Sequence, residues 1–312
     1  QYAANRIGVT RQLRYSLRNT NELDLVLSIN GIPVATAELK NPMTGQTVTN
    51  AMAQYQQDRD HREPLFEFKR RALVHFAVDT EQVFMTTRLA GSATHFLPFN
   101  KGLDGGAGNP PDPAGRAYRT AYLWEEVWQR DSLLDIVARF MHLQVEEKRT
   151  DDGRRIKKET MIFPRYHQLR AVRELEDAAR AEGPGHNYLV EHSAGSGKSN
   201  TIAWLAHRLA SLHDEANRKV FDSVIVITDR RVLDRQLQDT IYQFEHRQGV
   251  VQKIDEDSRQ LAEALTNSVP IIISTLQKFP FVARQLARMA EERGEDADGV
   301  LPTRRCAVII DE

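Results

Sequence analysis

Asp24, Glu38 and Lys40 are the first residues whose types and spacing could do chemistry. Two carboxylates offer the oxygen ligands that a hard divalent cation such as Mg2+ prefers. A cation held there would polarise a phosphate oxygen, and a neighbouring ammonium would orient a nucleophile or stabilise developing negative charge. Glu38 and Lys40 are two apart, so on a strand they share a face. By itself a Glu-x-Lys triplet is common on exposed strands. The arrangement around it is more specific.

Asp24 falls in an apolar run at residues 23–29, Asn30-Gly31 is a turn signal, and residues 34–40 read as the returning strand. A two-residue Asn30-Gly31 loop would pair Ile29 with Ile32 and Asp24 with Ala37, leaving Asp24 and Glu38 on opposite faces. An odd-length loop, such as residues 30–32, pairs Asp24 with Glu38. Opposed like charges repel, so that register makes sense with a cation between them. Pro33 has no ladder donor and disturbs pairing beside the turn. The expectation is therefore the odd loop.

The second constellation is Ser193-Ala194-Gly195-Ser196-Gly197-Lys198-Ser199. Small residues let backbone N–H groups curl around a phosphate, and a following helix adds favourable partial charge at its N-terminus. Lys198 would reach the β- and γ-phosphates of ATP, and the Ser199 hydroxyl would ligate Mg2+. The general phosphate-loop pattern has glycine where this chain has His192. An ordinary glycine-rich helix cap is the plain alternative. Residues 306–310 form an apolar run ending in Asp311-Glu312, where Asp311 would hold Mg2+ and Glu312 would orient or deprotonate the attacking water.

These residues need elements to position them. Residues 1–100 read as strands (7–16, 23–29, 34–40, 72–78, 82–86) with one helix near 48–59. Residues 101–160 form a connector: a Gly-, Pro- and Asp-rich loop at 102–115, a helical stretch at 124–143, and an exposed charged linker at 146–158. Residues 161–312 alternate short apolar strands (188–190, 224–227, 271–273, 307–310) with helical stretches, the pattern of a parallel sheet covered on both faces. The fold class is α/β throughout.

At 312 residues the chain suits two domains. Its charge of -1 gives no global attraction for nucleic acid, so any such binding must be local. No apolar run spans a bilayer. One cysteine, Cys306, permits no intrachain disulfide, in keeping with a cytoplasmic protein. The start at Gln1 and the end at Asp311-Glu312 are read as those of a fragment. The histidines lack metal-ligand spacing, so His75 and His207 are expected to be packing or surface residues, and Trp124 and Trp128, one helical turn apart, to form a packed face.

Beyond this, residues 163–312 resemble superfamily-2 helicases and translocases. Phe163-Pro164-Arg165-Tyr166-His167-Gln168 resembles the segment whose glutamine reads adenine, which implies that role for Gln168. Thr228-Asp229-Arg230-Arg231 and Ser274-Thr275-Leu276-Gln277 sit where such motors touch the DNA backbone, although each would serve equally as a helix cap. The first hundred residues resemble PD-(D/E)xK nucleases, and more narrowly the nuclease domain of the type I restriction enzyme motor (R) subunit. The residues that carry this are Asn21 to Leu27, Asn30-Gly31-Ile32-Pro33 and Glu38-Leu39-Lys40-Asn41-Pro42. That family carries a Gln-x-x-x-Tyr element on the next helix. Here Gln54 is followed at that spacing by Asp58, so only Gln54 carries over.

The resemblance implies a restriction-endonuclease-like mixed-sheet domain followed by a RecA-like lobe. It further implies ATP-driven translocation coupled to Mg2+-dependent cleavage of double-stranded DNA, alongside modification (methyltransferase) and specificity subunits. A repair or other defence nuclease-helicase, and an inactive DNA-binding or assembly module, are the alternatives. The second lobe that would complete the ATP site lies past Glu312 in this reading, so little hydrolysis is expected of the chain alone.

Overall fold

A computed structural model describes residues 2–116, 118–149, 155–228, 231–244, 249–254, 257–293 and 304–311. The chain divides into two compact units, Gln1–His167 and Gln168–Glu312.

The first unit is built on a six-stranded mixed sheet in the order β1-β2-β3-β4-β5-β6. Its strands are β1 (Ile7–Arg14), β2 (Glu22–Ile29), β3 (Ile32–Leu39), β4 (Val74–Val78), β5 (Val83–Thr86) and β6 (Leu97–Pro98). All pairings are antiparallel except β3 with β4, which are parallel. A parallel pair needs a crossover, and α1 (Val48–Gln57) supplies its helix. The buried residues of α1 are Val48, Ala51 and Tyr55, spaced three and four apart. Val48 and Ala51 pack with Ala77, while Tyr55 joins a cluster with Leu23, Val26 and Phe66. The strand face and the helix stripe thus close one core, with β3 near its centre.

The connector packs into this unit. Helical turns at Leu123–Val127 and Ile136–Phe140 flank α2 (Arg130–Asp135). Trp128 and Phe163 both meet Phe76 edge-on, at 5.4 and 5.7 Å between ring centroids. Trp124 lies 6.1 Å from Tyr118, so the two tryptophans pack against different partners. Where a charged linker is expected at 146–158, the described residues belong to two antiparallel strands, β7 (His142–Arg149) and β8 (Arg155–Ile162). The ladder sets residue 146 opposite 158 and 147 opposite 157, so a run that reads as a linker becomes two paired strands.

The second unit holds a parallel sheet of order β10-β11-β9-β12, formed by β9 (Ser223–Thr228), β10 (Val251–Lys253), β11 (Ile271–Thr275) and β12 (Cys306–Asp311). Five helices accompany it: α3 (Tyr166–Glu182), α4 (Lys198–Ala210), α5 (Arg231–Gln243), α6 (Ser258–Thr266) and α7 (Val282–Arg293). β9 is buried along its whole length, as a central strand with an apolar run at residues 224–227 should be.

Two sequence expectations fail here. Residues 188–190 form no strand, and Leu189 is 94% exposed. Three apolar residues can make few ladder bonds, and the glycines at 183 and 185 just upstream take left-handed φ values of 73° and 108°, which interrupts extension. Among the described residues β12 lies at the sheet edge with Val308 and Ile310 exposed, so those residues leave one of its faces uncovered. Among the described residues, no helix is long and apolar enough to cross a membrane.

Candidate functional site

Asp24 and Glu38 meet through a register the sequence argument reached by the wrong route. The turn is the two-residue Asn30-Gly31 loop, with Ile29 paired to Ile32, and not the expected odd loop. Both turn residues take left-handed φ, 54° and 84°, as a type I′ turn requires. A bulge then intervenes: Ser28 pairs with Pro33 and Leu27 with Ala35, so Val34 is the extra residue on β3. From there Val26 pairs with Thr36 and Leu25 with Ala37, and continuing the ladder sets Asp24 opposite Glu38. Pro33 disturbs the pairing as expected. The disturbance takes the form of a bulge beside it.

Glu38 is fully buried. Its Oε1 accepts from Arg59 Nε at 2.7 Å and lies 2.7 Å from Arg59 Nη2, while its Oε2 is buried with no hydrogen-bond partner. Burial pushes the Glu38 carboxyl up to about 7, opposed by the Arg59 guanidinium and reinforced by Asp24. Asp24 Oδ2 accepts from the Leu39 N–H at 2.8 Å and lies 3.9 Å from Lys40 Nζ. Lys40 is anchored by its own N–H, which donates to the Val78 carbonyl at 2.8 Å. The structure therefore brings Asp24, Glu38 and Lys40 together at the end of the β2–β3 ladder.

A buried hydrogen-bonded row lies one residue back on β3. Thr36 Oγ1 is 2.7 Å from Tyr55 Oη and 2.8 Å from His75 Nδ1. Burial pushes His75 down to about 3, so the ring is neutral, in keeping with a packing role. Tyr55, also fully buried, has its phenol pushed up by burial and by the Glu38 charge. Gln54, the residue expected to serve the site, has a buried Oε1 with no hydrogen-bond partner and makes no described contact with either carboxylate. Asp58 caps α1 and is exposed.

The residue that reaches Glu38 is Arg59, which sequence reasoning missed. Nothing in the sequence separates it from the nearby arginines at 62, 70 and 71; only the chain's return after α1 does so. Among the described residues, no cluster of three or more metal-ligating side chains occurs. The two carboxylates, one with a bare buried oxygen, nonetheless fit a hard cation that completes its shell with other oxygens.

In the second unit, Gly195 and Gly197 take left-handed φ of 75° and 84°, which turns residues 193–197 into the N-terminus of α4 at Lys198. Gln168 Nε2 donates to the Gly197 carbonyl at 2.9 Å, and a Cβ built on Gly197 would come within 2.6 Å of that nitrogen. Ser196 is buried and Lys198 exposed at the mouth of the loop. This cradle fits a phosphate chain. Gln168 braces the loop itself, a contact the adenine-reading role does not require. α4 seats Trp204 in the core, edge-on to Phe244 at 5.9 Å.

Asp311 pairs with Thr228, which in turn pairs with Thr275, so the three residues line up at the carboxyl ends of adjacent parallel strands. That is the end at which open α/β sheets bind ligands. Asp311 makes no hydrogen bond or ion pair with Lys198 or Ser199 among the described residues. Glu312, Asp229 and Arg230 lie outside the described residues, as does the Arg231 side chain. Ser274 Oγ donates within its own segment to the Thr275 carbonyl.

Comparison with known proteins gives two family matches, one within the first unit and one over the second. Residues 1–94 match the family described as type I restriction enzyme R protein N terminus, and residues 167–312 match SWI2/SNF2 ATPase. The chain is 26% identical over 290 residues to the type I restriction enzyme HindI endonuclease subunit of Haemophilus influenzae, covering 88% of this chain and 25% of that protein. It is 23% identical over 313 residues to a type I restriction enzyme endonuclease subunit of Staphylococcus aureus, covering 100% of this chain and 29% of that protein. A Staphylococcus saprophyticus endonuclease subunit is 22% identical over 279 residues, covering 89% and 26%. The chain thus spans less than a third of the length of these relatives. The first unit is thus similar to the R-protein N-terminal family and the second to the SWI2/SNF2 ATPases, a match that fits its parallel sheet to a RecA-like lobe.

Proposed function

We propose that this chain is the cleaving and ATP-binding part of a type I restriction motor subunit, which couples ATP-driven translocation to cleavage of double-stranded DNA. The observation that carries the reading is the bulged register that turns Asp24 and Glu38 toward each other and leaves Glu38 Oε2 bare. Asp24 and Glu38 hold Mg2+, which supplies Lewis-acid stabilisation to the scissile phosphodiester. Lys40, tethered near Asp24 and largely buried, keeps its ammonium directed at the same point, where it orients the attacking water or meets developing negative charge. Gln54 lies on α1 behind the site, its buried Oε1 without a hydrogen-bond partner. Burial of Glu38 excludes water from its side of the site and so strengthens these charges.

In the second unit, Gly195, Ser196 and Gly197 present backbone N–H groups to the phosphates of ATP, and Lys198 neutralises them. Ser199 and Asp311 hold the accompanying Mg2+, Gln168 reads adenine or braces the loop, and Glu312 orients the attacking water. The subunit works in the cytoplasm beside modification and specificity subunits, which recognise the DNA target. The test is plasmid cleavage by the full-length subunit with these partners, Mg2+ and ATP. Lys40→Ala is expected to abolish cutting and retain ATPase, and Lys198→Ala to abolish both. Retained cutting in Lys40→Ala would remove the nuclease assignment.

A further inference from the structure

Arg59 sits just past α1 and is 4% exposed. It is held independently of the candidate cation site: Nη2 donates to the Glu22 carbonyl of β2 at 2.8 Å, and the guanidinium carbon lies 5.6 Å from the Tyr15 ring centroid. Strand backbone and aromatic ring thus fix the fork before Glu38 is considered. From that position both Nε and Nη2 converge on one oxygen of Glu38, Oε1, at 2.7 Å each. The other oxygen, Oε2, has no hydrogen-bond partner. The carboxylate is therefore divided, one oxygen held by the framework and the other left for a ligand.

Resting on the nuclease reading above, we infer that Arg59 is a positioning residue for DNA cleavage: it pins Glu38 Oε1 so that Oε2 faces the cation shared with Asp24. Because guanidinium and cation use different oxygens, they bind together and do not compete. The charges agree with this division. Asp24 and Glu38 are offset by Lys40 and Arg59, so a divalent cation leaves a net positive site suited to an anionic phosphodiester. Lysine cannot replace the fork, because a point ammonium does not span Oε1 and the Glu22 carbonyl in one rigid plane.

The test is calorimetric titration of the 312-residue chain with Mn2+ alone, comparing wild type, Arg59→Met, Arg59→Lys, Asp24→Asn and Glu38→Gln, with circular dichroism to verify folding. The signal lost in Glu38→Gln defines the site. Arg59→Met is expected to weaken Mn2+ binding by about 10- to 100-fold, the usual effect of removing a partner that orients a ligand, and Arg59→Lys by a smaller factor. Affinity equal to or tighter than wild type in folded Arg59→Met would show that the guanidinium only competes for the carboxylate and would overturn the inference. If Arg59→Met does not fold, unchanged affinity in folded Arg59→Lys overturns it equally. Wild-type Mn2+ binding in both Asp24→Asn and Glu38→Gln would instead remove the nuclease reading on which the inference rests.

Discussion

Acidification should cost the first unit stability at His75, set against the opposite effect of Glu38, whose raised carboxyl takes up its proton in the fold over the same interval. The ring lies on β4, fully enclosed, with Nδ1 2.8 Å from Thr36 Oγ1 and the Phe66 ring edge-on at 5.6 Å. Burial holds it at about 3 against an ordinary 6.5. A group whose pKa is depressed by folding binds more protons when unfolded. Its contribution is therefore complete above the unfolded value and is lost as pH falls toward the folded one. Between pH 7 and pH 4 the unfolded ring protonates and the folded ring does not, which costs the fold about 3 kcal/mol at pH 4. Against a total of roughly 5–15 kcal/mol for a domain, that is a large fraction. The assay is hydrogen exchange at the β3 and β4 amides at pH 7 and pH 4, corrected for intrinsic exchange rates, in wild type and His75→Asn. Wild type should lose about 3 kcal/mol more protection than the variant over this interval. Equal losses would refute the reasoning, because the proton would then be taken up elsewhere.

Three further outcomes follow from particular contacts. Gly197→Ala places a Cβ 2.6 Å from the buried Gln168 amide at a φ of +84°, so it should cost about 1–2 kcal/mol of strain and weaken binding of a fluorescent ATP analogue; unchanged affinity would contradict the brace. Tyr55→Phe removes the 2.7 Å hydrogen bond to Thr36, about 1 kcal/mol in urea unfolding, yet should retain plasmid cleavage, because the hydroxyl serves Thr36 and not the carboxylates. Deleting Val34 removes the bulge residue itself, leaving the Asn30-Gly31 turn and an unbroken ladder that still sets Asp24 against Glu38. It should cost about 1.5–3 kcal/mol for the lost buried side chain while cleavage survives, and loss of cutting in a folded deletion would show that the bulge does more than set register.

Local chemistry was legible in the residue order. Asn30-Gly31 marked a turn, Pro33 marked disturbed pairing, and the glycines at 195 and 197 marked a tight loop into a helix, because each acts through its own backbone preferences. The apolar runs of β9 and β11 declared a buried parallel sheet for the same reason. Only tertiary structure decided what depends on partners distant in sequence. The face that Glu38 shares with Asp24 came from where the extra residue fell in the ladder, and a bulge at Val34 and a longer turn satisfy the same pattern. Residues 188–190 are apolar enough for a strand, but a strand exists only when a neighbour accepts its hydrogen bonds. Arg59 looks like any other arginine until the chain after α1 carries it back beneath Glu38. Burial then gives that pair its meaning, since a charge removed from water must find its partner within the fold.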